Sequence, residues 1–338
     1  MKTIYYALAA TSCFALSAQA QTTSQTPTET ATPTRAPSAS LVPPPDAPPP
    51  KNNPPGPYLV TIESDPSLPT HTIYRPTDLS SFKGKKALPI ISWGNGACAN
   101  AGTLFQVFLT QIASHGYIAI SIGPKDAPLP AFATGARPSA ATAPGAAPAA
   151  APALVAFSKD EQIIDAIDWA VKENNRKGSA YYQHLDTNKI AVMGQSCGGL
   201  QTIAASSDPR VKTSVVWNSG TFPEDGKSPG ANLSGARKAS LAKFHAPVAY
   251  FNGGPADIAY TNSEDDFKRI TVPVFKGSMN VGHGGTYRHP GGGWFGEVGV
   301  AWLDWQLKGD KQAAKYFDGK DCMLCTNPLW TIEKKNMR

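Results

Sequence analysis

Charge, long apolar runs and basic clusters are all scarce in this sequence. Only 17% of its 338 residues are Asp, Glu, Lys or Arg, and 31 basic against 25 acidic residues leave +6 spread along the chain. No run of Lys or Arg exceeds two residues, and no basic stripe is interleaved with aromatics. That pattern argues against a nucleic-acid partner. No stretch reaches the ~18 consecutive apolar residues of a membrane-spanning helix. Cysteine is sparse too, at five residues. Gly and Pro, at 30 and 31 residues, stand at about half again their usual share. The Pro excess is confined to two clusters, and outside them the composition is that of an ordinary globular domain.

Residues 1–20, MKTIYYALAATSCFALSAQA, place Lys2 before a mostly apolar run and end in Ala18-Gln19-Ala20. This is the small-x-small pattern of a secretory signal peptide. The rival, a lipoprotein signal acylated at Cys13, lacks the usual Leu, since Ala10-Thr11-Ser12 precedes that Cys. Cleavage after Ala20 would leave 30 basic against 25 acidic residues, or +5, and the four cysteines Cys98, Cys197, Cys322 and Cys325. An even number in an exported chain points to two disulfides, with three connectivities open. Cys322-Met323-Leu324-Cys325 has no second Cys/His pair nearby in sequence, so a local disulfide is a better reading than half a metal site. A secreted or periplasmic protein is expected.

From Gln21 to Pro57, 12 of 37 residues are Pro and almost none is large and apolar. Such a segment cannot repay its ordering entropy and reads as an extended tether. A second biased stretch, 127–153, is rich in Ala and Pro and reads as a surface insertion. Elsewhere strands and helices alternate. Strands are expected at 58–62, 70–74, 88–93, 117–122, 189–193, 213–217, 247–251 and 273–278. Helical spacing marks 103–114, 158–173 and 295–307, and a further helix starts at Gly199. Short apolar strands linked by helices predict a mainly parallel sheet covered on both faces, in one domain over 58–338.

Strand 189–193 runs into Gly194-Gln195-Ser196-Cys197-Gly198 and then a helix. A G-x-S-x-G turn between strand and helix raises its serine above the sheet at the positive end of the helix, so Ser196 is the expected nucleophile. A serine needs a base and an acid from loops after later strands. Of six histidines only His283 and His289 follow the last core strand, and His283, in Val281-Gly282-His283-Gly284, is the expected base. Asp257, on the loop after strand 247–251, is the expected acid. Its rivals Glu264, Asp265 and Asp266 resemble a solvated first turn of helix. The oxyanion hole needs two N–H donors. One is that of Cys197 and the other lies in Gly94-Asn95-Gly96, with Asn95 preferred over Gly96. Cys98 and Cys197 therefore fall on the two loops of the hole. A disulfide between them would fix both donors, while the alternative makes Cys197 a small buried thiol. Trp217, at the end of its strand, is expected to reach the site, with Tyr287, His289 and Trp294 along the wall.

Together KIAVMGQSCGGL, ISWGNG, GGPAD and GHGG resemble the α/β-hydrolase superfamily over about residues 58–320. Within it the chain is similar to the exported dienelactone-hydrolase, platelet-activating-factor-acetylhydrolase and polyester-hydrolase (cutinase-like) group. The resemblance implies a three-layer α/β-hydrolase fold with no large lid. It also implies carboxyl-ester hydrolysis through an acyl-enzyme, with no metal or organic cofactor. Ser196, Asp257 and His283 match the family triad, and Trp217 sits in a place similar to an aromatic clamp. GNGAC departs from the HGGG of lipase-type esterases. Only about 30 residues separate strands 213–217 and 247–251, so an open cleft for aryl, hydroxycinnamoyl, carbohydrate or polyester-type esters is expected. The substrate is an ester, polymeric or cell-wall derived in one reading, and a monomer is expected. Two alternatives are a serine amidase or peptidase on the same triad and a non-catalytic hydrolase-fold recognition domain.

Overall fold

Short runs of Ile, Val and aromatic residues set the framework. In the computed structural model, which describes residues 50, 53–134, 157–225 and 227–337, they form a nine-stranded sheet. The strands are β1 (Val60–Glu63), β2 (His71–Pro76), β3 (Leu88–Gly94), β4 (Ile118–Ile122), β5 (Leu185–Gln195), β6 (Val211–Trp217), β7 (Val248–Asn252), β8 (Val274–Met279) and β9 (Trp330–Lys335). They lie in the order β1-β2-β4-β3-β5-β6-β7-β8-β9. From β4 to β8 all pairings are parallel; β1, β2 and β9 join antiparallel at the two edges. The helices are α1 (Gln106–Ser114), α2 (Ala131–Thr134), α3 (Glu161–Asn175), α4 (Cys197–Ala205), α5 (Tyr260–Arg269), α6 (Gly293–Leu303) and α7 (Lys311–Ala314).

The strands are apolar at successive positions because both faces are covered, and their period of two sorts side chains between faces. In β5, Ile190 and Val192 pack with Ile163 and Ile167 of α3. Ala191 and Met193 turn the other way, into a core shared with Phe108 of α1 and Phe295 and Trp302 of α6. Leu200 and Ile203 of α4 close a third cluster with Val216 and Tyr250. This is the three-layer, mainly parallel architecture of an α/β-hydrolase. Between β6 and β7 the described residues carry only a short 3-10 turn, Lys238–Lys243, and no lid domain.

Several boundaries differ from expectation. Helix α1 starts at Gln106, because Ala101 to Phe105 is a turn of i to i+3 hydrogen bonds. Strand β9 was not anticipated. Its pattern, WTIEKK, is that of a charged edge strand, and its signal lies elsewhere. Lys276 is buried in the middle of apolar β8, so it must be paired. It is held between Glu264 of α5 and Glu333 of β9. The body also begins earlier than 58. Asn53 donates to the carbonyls of Gly291 and Gly293, and the Gly56 N–H donates to Ser114. The expected signal peptide, most of the tether and residues 135–153 of the insertion lie outside the described residues. Among the described residues no helix is long and apolar enough to cross a membrane.

Candidate active site

The turn from β5 into α4 is a tight one, and Ser196 sits in it at φ 54°, ψ −117°, a region that side chains rarely occupy. Crossing backbones crowd it. A Cβ on Gly198 would overlap the Gly94 carbonyl, and one on Gly194 would overlap that of Gly198. Glycine at these places is therefore a steric requirement of the turn. The Ser196 N–H donates to the Trp217 carbonyl, and Ser219 Oγ donates to the Ser196 carbonyl. These bonds hold the strained residue at the carboxyl edge of the sheet.

Three loops converge there. His283 Nε2 lies 2.9 Å from Ser196 Oγ, and His283 Nδ1 lies 2.6 Å from Asp257 Oδ1. Asp257 accepts three further bonds. The Ala259 N–H reaches Oδ1 at 3.0 Å, while the Gly253 N–H and the Asn218 amide reach Oδ2 at 2.9 and 2.7 Å. Burial pushes the Asp257 carboxyl up, but the His283 hydrogen bond and charge and the two backbone donors outweigh it and hold the carboxyl below its ordinary value. An ionised Asp257 keeps the proton on His283 Nδ1 and leaves Nε2 free to take one from Ser196. That is the arrangement of an activated serine.

Asn218 was missed by the sequence reading. Its amide also donates to the Gly282 carbonyl, next to His283, and its Oδ1 accepts from the Tyr287 hydroxyl. Gln195, also missed, donates to the His283 carbonyl. Asp257 and His283 thus sit on a polar scaffold that no short motif marks. The strongest available hint was that Asn218 directly follows a core strand at the catalytic edge.

The wall residues expected from sequence are redistributed. Trp217 is fully buried, not a substrate clamp. With Val215 it points to the α1–α6 face, where it stacks on Phe251 at 4.7 Å and contacts Phe108 and Phe295. The period of two in β6 sets that direction. Tyr287 is buried as well, and its hydroxyl holds Asn218 instead of facing substrate. Trp294 packs edge-on against Trp330. His289 precedes the turn at Pro290–Gly292, and its N–H donates to Thr286. None of these four lines the cavities at Ser196. Asp266 is not solvated: it is buried among Lys238, Thr221 and Tyr250.

Of the loop expected to supply the second donor, Gly96 lines the cavity at Ser196 and Asn95 does not. Asn95 is fully buried, and its side chain accepts from Trp93 Nε1 and donates to the carbonyls of Ala99, Ala101 and Ile122. It pins the loop. Gly96 and Ala97 face the cavity beside Ser196. Ala97 and Cys98 both have positive φ, at 54° and 48°. Cys98 is bonded to Cys197, and Cys322 to Cys325.

The PETase family model, described as PET hydrolase-like, matches residues 155–239. The match runs from before α3 through the Ser196 turn to the loop after β6, and ends ahead of Asp257 and His283. It falls within the group that the sequence resembles and supports a hydrolase acting on esters. No curated protein matches the chain.

Proposed function

We propose that this chain is an exported serine carboxylic-ester hydrolase working through an acyl-enzyme. The observation that carries the reading is the unbroken hydrogen-bonded series Asp257–His283–Ser196 at the mouth of a cavity. Ser196 Oγ attacks the ester carbonyl as His283 Nε2 takes its proton. The oxyanion forms between the N–H of Cys197 and an N–H of the Gly96–Ala97 segment. His283 then passes its proton to the departing alkoxide, and a water repeats the sequence to release the acid. Asp257 holds the imidazole in the right tautomer and balances the imidazolium.

The match to a PET hydrolase-like family and the absence of a lid among the described residues favour bulky esters, polyester-type ones among them. Two disulfides fit an oxidising compartment, as does the leader read from residues 1–20. Ser196→Ala and His283→Ala should each lower kcat for a 4-nitrophenyl ester by about 10⁴-fold or more, with unfolding midpoints near that of the parent. Turnover retained in Ser196→Ala would overturn the assignment.

A further inference from the structure

Two cavities meet at the serine. One, of about 200 Å³, runs beneath Leu200, Phe222 and Leu233, with Ser219 and Asn262 adding polar edges. The other, of about 190 Å³, is bounded by Gly96, Gln195 and Phe132. Ser196, His283, Ala97 and Ile258 line both, so the reacting atoms stand at their junction. Each has the volume of about six waters at ~30 Å³ apiece, room for a ring or a short branched group.

Phe132 belongs to neither the sheet nor the long helices. It lies on α2, where the Ala/Pro-rich stretch begins, and it is partly exposed although large and apolar. The turn that carries it is fastened: Arg288, five residues after His283, donates to the Ala133 carbonyl. Beyond the stretch, Ser158 is fastened as well. Both the N–H and Oγ of Ser158 donate to the Cys98 carbonyl, and Gln201 donates to Ser158 Oγ. Ala133 and Ser158 are thus tied to the segments that carry His283 and Cys98.

We propose that Phe132 is a specificity-determining residue. It packs against a ring or planar apolar group on one side of the scissile bond, while the Phe222–Leu233 cavity takes the group on the other side. The preferred substrates are therefore esters with bulky apolar groups on both the acyl and the alcohol side. This rests on the ester-hydrolase reading above.

Four esters test it: ethyl acetate, phenyl acetate, ethyl benzoate and phenyl benzoate. In Phe132→Ala, kcat/KM for phenyl benzoate should fall about 10-fold more than that for ethyl acetate. The same excess should appear with one of the two singly aromatic esters and not the other, and should be carried by KM. Phe132→Tyr should restore the parental ratios, and Leu59→Ala, at a remote exposed site, should leave them unchanged. Equal loss on all four esters, or unchanged ratios in Phe132→Ala, would overturn the role of Phe132 and leave the triad standing. If the parent protein turned over none of the four, the ester-hydrolase reading would fail and this inference with it.

Discussion

Cys98–Cys197 and Cys322–Cys325 are the same covalent bond in two different settings. The first spans 99 residues and joins the loop facing the serine to the residue after it. The second spans three residues near the end of the chain. In the loop-entropy picture the long closure removes about 5 kcal/mol of unfolded-state freedom and the short one about 2. Their surroundings differ more than that. Around Cys98 two successive non-glycine residues hold positive φ, a strain of about 1–3 kcal/mol each that neighbours must offset. The first bond therefore constrains the loop beside Ser196, and the second tightens a local turn.

Of the two bonds, the first should have the larger effect when cut. Cys98→Ser with Cys197→Ser keeps both backbone N–H groups, so any loss reports their positioning. We expect kcat to fall on the order of 10²-fold and urea unfolding to show a loss of about 4 kcal/mol. Full activity in a destabilised double variant would reduce this bond to a staple like the other.

A pH titration sharpens the contrast by separating the fold from the site. His71 in β2 is fully buried, with Nε2 donating to the Gln162 carbonyl and Nδ1 accepting from Thr70. Burial brings its pKa down to about 4, only partly offset by the Gln162 bond. The unfolded chain binds that proton at the ordinary value near 6.5, so stability is full above pH 6.5 and falls as pH drops toward 4, by about 3 kcal/mol. His71→Gln should flatten this slope in unfolding curves taken from pH 7 to 4. Asp257, held below its ordinary value, contributes stability above pH 3.8 that is lost only as pH falls further. A slope unchanged in His71→Gln would assign the effect to another group.

The smallest effect should come from Cys322→Ser with Cys325→Ser. We expect about 2 kcal/mol or less, read by urea unfolding, with kcat unaltered. A large fall in activity would show that the chain end is coupled to the catalytic edge.

How much of this was legible in advance depended on whether a signal was local. The elbow around Ser196 is a compact steric requirement and could be read directly, as could His283 and Asp257 from their places after β8 and β7. Trp217 misled because its position at a strand end says how near it is to the site. Which face it occupies depends on the phase of β6 relative to Val215 and Val216. Asn218 and Gln195 act through partners 39 to 88 residues away, which no window of sequence contains. The buried Asp266 was hidden for the same reason, since Lys238 and Thr221 meet it from two other segments. Phe132 lies within a low-complexity stretch whose composition says only that it cannot form a core alone.

The central claim is that Ser196 is activated by His283 and Asp257. Intact-mass spectrometry of the mature protein after a fluorophosphonate probe, followed by peptide mapping, tests it most directly. The account predicts one adduct, on Ser196, formed rapidly in the parent and not in His283→Ala. Folded protein that takes no label, or takes it elsewhere, would contradict it.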